Sequence, residues 1–310
     1  MQVTYYIGGF IGMISILLSP LTGSVASQHT TPPTLQPGHE DVLLGAILVN
    51  TFVTVVNKYG EPVTGLDATD FAVYDEGRRQ RITAFSRGTE LPLTLALVID
   101  RSQSIQARFD LERAAAIHFL ESVMRKGHDR ALLAVFDSGL YIVHEFSDDV
   151  AALTERVKHL TTAGNSAIYD AVTKTVRTQF APLPAGRHVM VLITDGEDTA
   201  SAHTLRQAVD AALRADVIIY SIGIHATKSG AATLQYIARM TGGRCFLLQD
   251  PQQPLKDLFA QLQHELRSQY SIGYYLQQPP DGRFHRLTFK VKKKGLSVRA
   301  RHGYYALAKP

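Results

Sequence analysis

The sequence predicts an α/β protein in which a doubly wound, mostly parallel sheet is joined by a small β-sandwich made from the two flanks of the chain. Three observations predict it. Apolar runs rich in strand formers, LTLALVID at 93–100, HVMVLITD at 188–195 and DVIIYSIGI at 216–224, alternate with stretches of helical periodicity. Two of these runs stop abruptly in an acidic turn, where strands of an open sheet present ligand sites. β-branched and aromatic stretches flank the alternating segment on both sides, and neither flank is large enough to bury a core alone.

The elements follow in order. At 310 residues, 45% hydrophobic and 19% charged, the chain has room for one sizeable core with additions or two small domains, and its composition is that of an ordinary globular protein. Ile7 to Leu21 is apolar and is followed by the small residues Gly23-Ser24-Val25-Ala26-Ser27, which reads as a secretory signal over residues 1–27. The leading MQVTYY lacks Lys and Arg, but the apolar run is short for a membrane span and contains Pro20. A secreted, periplasmic or cell-surface location is expected, with an uncleaved membrane anchor as the alternative. Residues 28–40, including TTPPTLQPGH, form a Pro-rich linker.

Residues 41–90 read as an N-terminal β module. ILVNTFVTVVN (47–57) is a strand stopped by the turn KYGEP. Phe71 to Tyr74 form a second strand, Asp75-Glu76-Gly77 a hairpin turn, and Arg81 to Phe85 another strand. Residues 91–268 hold the α/β segment. After LTLALVID a helical pattern runs through LERAAAIHFLESVM, and ALLAVFDSGLYIVHEF gives two strands around Asp137-Ser138-Gly139. Asp148 or Asp149 can cap the next helix. Ile168, Ala171, Val172 and Val176 then share one helix face. Helices near 204–214, 231–240 and 254–268 separate the remaining strands. Residues 269–310 return to β signals: YSIGYYL, HRLTFKVKK, SVRAR and GYYA.

Composition also bounds the chemistry. Cys245 is the single cysteine, so no intramolecular disulfide or cysteine-based zinc site is available, and packing is its expected role. Net charge is +4, with the basic excess gathered in Lys290, Lys292, Lys293, Lys294, Arg299 and Arg301. On strand faces and edges such residues discourage edge pairing. No nucleic-acid partner is expected, and contact with the cell envelope is the other use of such a cluster.

Three separated stretches end elements in oxygen-bearing side chains: D-R-S-Q-S at 100–104, G-N-S-A at 164–167 and T-D-G-E-D at 194–198. Carboxylates and hydroxyls suit a small hard cation, Mg²⁺ or Mn²⁺, and one loop alone cannot enclose an ion. Read individually, Asp100 could be a helix cap, Asp195-Gly196 a turn, Glu197 and Asp198 solvated, and Asp170 a packing or capping residue. Taken together, D-x-S-x-S, S-A-I-Y-D-A and L-I-T-D-G-E-D, in that order, resemble the von Willebrand factor A domain over about residues 91–267.

That resemblance implies a Rossmann-like domain with a metal-ion-dependent adhesion site (MIDAS). Ser102 and Ser104 would be direct hydroxyl ligands, and Asp100 and Asp195 would hold the ion largely through water. The family's threonine falls on Ser166, which keeps the hydroxyl and loses the methyl that restricts its rotamer. A carboxylate from Asp or Glu of a protein partner would complete the shell. The flanks, VNKYGEPVTGLDATDFAVYDEGRRQRITAF and YSIGYY with FHRLTFKV and VRARHGYYA, resemble bacterial exported "VWFA-related" proteins of acidobacterial type.

A metal-free structural surface scaffold is the competing class, and a metal-dependent phosphatase-type enzyme a more distant one. The position two residues after Asp100, where an aspartyl phosphatase needs an acid, is Ser102. DRSQS has no glycine for a dinucleotide turn, GNSAI lacks the last glycine of G-x-S-x-G, and HELRS puts Ser268 where a zincin helix has histidine. No enzyme is expected.

Overall fold

The computed structural model describes residues 47–87, 91–103, 106, 109–248 and 255–307. The expected signal segment 1–27, the linker 28–40, the first residues 41–46 of the expected β module and Ser104 lie outside the described residues. The N-terminal flank supplies β1 (Leu48–Val56), β2 (Phe71–Asp75), β3 (Arg78–Gln80) and β4 (Ala84–Arg87). The central segment runs β5 (Leu93–Asp100), α1 (Phe109–Val123), β6 (Arg130–Phe136), β7 (Leu140–Ser147), α2 (Val150–Lys158) and α3 (Ile168–Thr175). It continues with β8 (Arg187–Thr194), α4 (Leu205–Arg214), β9 (Val217–Ile224), α5 (Lys228–Thr241), β10 (Cys245–Leu248) and α6 (Leu255–Leu266). The C-terminal flank adds β11 (Tyr270–Tyr275), β12 (Phe284–Val291), β13 (Ser297–Ala300) and β14 (Gly303–Tyr305).

The central sheet has the order β10-β9-β8-β5-β6-β7 and is parallel except for the edge pair β6–β7. All residues of β5, β8 and β9 are buried, which explains why they read as continuous apolar runs without alternation. Leu95, Leu97 and Ile99 pack with Phe119 and Leu120 of α1 and Phe259 and Leu262 of α6. Ala96 and Val98 face Ala171 and Val172 of α3, Ala208 and Ala212 of α4, and Leu234 of α5. Helices therefore cover both faces, and the doubly wound reading holds. Asp149, one of the two cap candidates, accepts the N–H of Ala152 at 3.0 Å and starts α2. Asp129 pins the entrance of β5, accepting Leu93 N–H at 2.8 Å and Arg125 N–H at 3.0 Å. Although its burial opposes ionisation, these bonds and the Arg125 guanidinium hold its pKa down to about 2.

The flanks interleave. One antiparallel sheet runs β13-β1-β11-β4 and the other β14-β12-β2-β3, so each contains strands from both ends of the chain. Val53, Val55, Phe71, Val73, Tyr270, Ile272 and Leu287 form their shared core. One expectation is corrected here. The hairpin after Asp75 returns through Arg78–Gln80, and the next strand, β4, crosses to the opposite sheet to pair with β11. Phe85 explains the crossing, since its ring packs 5.8 Å from both Phe71 and Tyr270.

The basic cluster also differs from its reading as solvated strand-face charge. Arg301 is buried, donating to Thr51 Oγ1 at 3.1 Å, to Asn50 O at 2.8 Å and to Asp216, and burial pulls its pKa down to about 10. Arg299 pairs with the buried Glu265 of α6 at 3.1 Å. Both arginines tether the sandwich to the α/β segment. Lys293 meets Asp70 at 3.1 Å and Lys290 lies over the Tyr74 ring, 5.3 Å from its centroid. Cys245 is half-buried, and burial pushes its thiol up to about 12, consistent with packing.

Within the sandwich, Asp75 accepts the hydroxyls of Tyr274 at 2.7 Å and Tyr304 at 2.8 Å, and His285 bridges Asp75 at 3.2 Å and Asp281 at 3.1 Å. Partial burial opposes a charged His285, but hydrogen bonds to Asp281 and Asp75 outweigh it and raise its pKa above 6.5. A raised folded-state pKa means stability that is complete below the unfolded value and is lost as pH rises through the folded one. Thermal midpoints of wild type should therefore fall, relative to His285→Gln, as pH is raised from 6 to 8.5. The group is part-exposed, so the difference should stay under about 1 kcal/mol. Parallel pH profiles for the two proteins would remove the bridge from the account.

Candidate metal centre

The chain winds from β5 to β6 on one side and returns through β8 on the other, so the switch point of the sheet lies between the carboxyl ends of β5 and β8. Asp100 ends β5 there and is fully buried. Its Oδ1 accepts the N–H of Ser102 at 2.8 Å, and its Oδ2 accepts the hydroxyls of Ser166 at 2.8 Å and Thr194 at 2.7 Å. Three stretches far apart in sequence thus converge on one carboxylate. Burial lifts the Asp100 pKa above its ordinary value, and the Ser102 N–H and the Thr194 hydroxyl pull in the opposite direction.

Asp195 follows Thr194 at the end of β8, with Oδ1 accepting the N–H of Glu197 at 3.1 Å. The turn is set by a close backbone approach. Gly196 has φ +86°, and a Cβ there would lie 2.7 Å from Gly230 O at the start of α5. Thr227 caps α5 by accepting Gly230 N–H at 3.1 Å, and its hydroxyl donates to Glu197. Ser166 is fixed in the same manner from behind, its carbonyl accepting the N–H groups of Thr199 at 2.8 Å and Ala200 at 3.0 Å.

Asp100, Ser102 and Ser166 are therefore brought together, Asp195 stands beside Thr194 at the same sheet edge, and Ser104 lies outside the described residues. The expectation of solvated Glu197 and Asp198 is corrected. Asp198 is half-buried and accepts Tyr169 N–H at 3.3 Å and the Ser201 hydroxyl at 2.6 Å, tying the acidic turn to the start of α3. Asp170 behaves as a packing and capping residue. It accepts the N–H groups of Ala202 at 3.0 Å and His203 at 2.8 Å and pairs with Lys174 at 3.1 Å, so despite burial its pKa lies well below the ordinary carboxylate range. Thr194, the first residue of the T-D-G-E-D stretch, was not singled out as a site residue, because a threonine closing an apolar run reads as a strand former.

The donor set fits a hard divalent cation. It is all oxygen, hydroxyl and carboxylate, and among the described residues no Lys, Arg or His ion-pairs with the buried Asp100. Ser166 directs its proton at Asp100, which leaves its oxygen lone pairs available to a cation.

The fold and this constellation define an open α/β domain with an oxygen-rich site at its switch point. Residues 94–261 match the von Willebrand factor type A domain, and the chain belongs to that family. No curated protein matches the sequence. Among solved structures, a von Willebrand factor type A protein from Catenulispora acidiphila superposes with TM-score 0.51 at 15% identity, covering 80% of this chain and 71% of its own. Proximal thread matrix protein 1 of the mussel byssus, described with a zinc-occupied MIDAS motif, gives TM-score 0.50 at 16% identity over 62% of this chain and 49% of its own. BatB from Bacteroides thetaiotaomicron gives 0.47 at 14% identity over 57% of this chain and all of its own. At these identities the likeness to the first two is one of fold.

Proposed function

We propose that this chain is a metal-dependent protein-binding module of the cell exterior. Ser102, Ser104 and Ser166 would ligate Mg²⁺ or Mn²⁺, with Asp100 and Asp195 behind them, and the ion would take an Asp or Glu carboxylate of a partner protein. The observation that carries this reading is Asp100, a buried carboxylate at the switch point that gathers Ser102, Ser166 and Thr194 but no cationic side chain among the described residues. A bound dication supplies Lewis acidity toward an incoming anion. Hydroxyl ligands leave much of its charge uncompensated, so the affinity for a carboxylate stays high.

Ser166 hydrogen-bonds a carboxylate rather than a histidine, which favours a binding module over a serine-type enzyme. An apolar segment at Ile7–Leu21 and flanks like those of bacterial exported VWFA-related proteins support a secreted, periplasmic or cell-surface setting. None of the described helices is long and apolar enough to cross a membrane.

Thermal unfolding in EDTA, Mg²⁺ and Mn²⁺, alongside Asp100→Ala, tests the reading. With the ion at a hundred times its Kd, wild type should gain about 2.7 kcal/mol, roughly 5–10 °C in midpoint, and the variant nothing. A wild type indifferent to metal would instead make this a metal-free scaffold. Retention of a bound partner in Mn²⁺ and its release in EDTA is the second expected result.

A further inference from the structure

Arg101 stands between two site residues, Asp100 and Ser102, and a guanidinium there would repel a dication unless its charge were neutralised and turned away. The fold does both. Arg101 Nε and Nη2 donate to Oδ2 of Asp137 at 2.9 and 2.6 Å, and the guanidinium lies over the Tyr141 ring, 4.5 Å from its centroid. The Asp137 side chain is only 8% exposed and that of Arg101 23%, so solvent does little of the neutralising. Burial opposes ionisation of Asp137, yet Gly139 N–H and Arg101 hold its pKa below the ordinary value.

The same two residues stitch the surrounding loops. Arg101 N–H donates to Phe136 O at 2.9 Å, Ala163 N–H donates to Arg101 O at 2.7 Å, and Ala167 N–H donates to Asp137 O at 2.9 Å. Gly164 lies against Asp137 so closely that a Cβ would sit 3.0 Å from the Asp137 Cβ. Ser166 is carried between the two points where this loop is fastened. Pairs buried to this degree return little net stability over apolar replacements, so their value lies in placing the groups they hold.

We infer that Arg101 and Asp137 form a positioning pair that keeps the guanidinium off the cation and sets the Ser166 loop at its distance from Ser102, thereby setting the affinity for the metal. This rests on the metal-binding reading above. Mn²⁺ binding to the full chain, followed by the electron paramagnetic resonance of the free ion well below the unfolding temperature, tests it. Asp137→Ala frees the guanidinium beside the site and should weaken Mn²⁺ at least tenfold. Arg101→Ala keeps the backbone bonds, loses the guanidinium fork that braces Asp137 beside the loop, and should weaken it about threefold. The double variant should bind more tightly than Asp137→Ala alone. A merely structural role predicts that the double variant is the least stable to heat while all Kd values of folded protein stay close to wild type. Arg101→Lys, which keeps the charge and loses the fork, gives a second reading if the alanine variants unfold, and should bind several-fold more weakly. Variants that match a Mn²⁺-binding wild type within twofold would overturn the pair and leave the metal site standing. A wild type that binds no Mn²⁺ would overturn both.

Discussion

Arg299→Ala is expected to destabilise the chain by about 3 kcal/mol at pH 7.5, more than a charge on a sandwich strand would suggest. Its partner Glu265 has no exposed side-chain surface, lying 3.1 Å from Arg299 and 3.6 Å from Arg244. Removing one member of a buried pair leaves the other desolvated and uncompensated, which costs roughly 3–5 kcal/mol, and Arg244 keeps this case at the lower end. Burial already raises the Glu265 pKa above its ordinary value, against the pull of Arg299 and Arg244. Such a carboxyl contributes stability below its unfolded value and loses it as pH rises through the folded one. The variant's defect should therefore shrink as pH is lowered toward 4.5. Urea unfolding at several pH values measures this, and a pH-independent loss below 1 kcal/mol would contradict it. Because the pair joins α6 to β13, the α/β segment and the sandwich should also lose structure in one transition.

Gly230→Ala should cost about 2 kcal/mol and abolish the stabilisation by metal. Helix propensity alone predicts the opposite sign, since alanine is favoured over glycine inside a helix by about 1 kcal/mol. Contact decides. A Cβ at Gly230 would stand 2.6 Å from the carbonyl oxygen of Asp195 and 3.1 Å from the Gly196 carbonyl carbon. Both are backbone atoms of the acidic turn, so relief requires moving Asp195 itself, and overpacking of this kind costs roughly 1–3 kcal/mol. Midpoints in EDTA and in Mn²⁺ separate the two effects. A variant more stable than wild type, or one that still responds fully to Mn²⁺, would show that the turn tolerates the shift.

The central sheet was legible because β5, β8 and β9 are buried on both faces, so their sequences carry apolar runs that polar surface positions never interrupt. Asp100 and Asp195 stood out because each breaks such a run. Thr194 was hidden by the same logic, because its hydroxyl acquires meaning only when β8 is laid beside β5. Asp137 looked like a turn residue, which it also is, accepting Gly139 N–H at 2.9 Å. Its ion pair with Arg101 joins the residues that follow two adjacent strands, β5 and β6, and has no local signature. In the flanks, the strand order depends on which sheet Phe85 enters, and alternation within a four-residue strand cannot specify that.

The α/β segment leaves the sandwich after β4 and re-enters it at β11, and these strands are paired neighbours, with Arg87 opposite Tyr270. Its two ends are therefore held within one strand spacing of each other, about 4.8 Å. Tension transmitted along the chain from β1 to β14 passes through the sandwich in shear and closes around the inserted segment instead of stretching it. A load between the two ends of the chain therefore leaves the sheet edge carrying Asp100 out of its path.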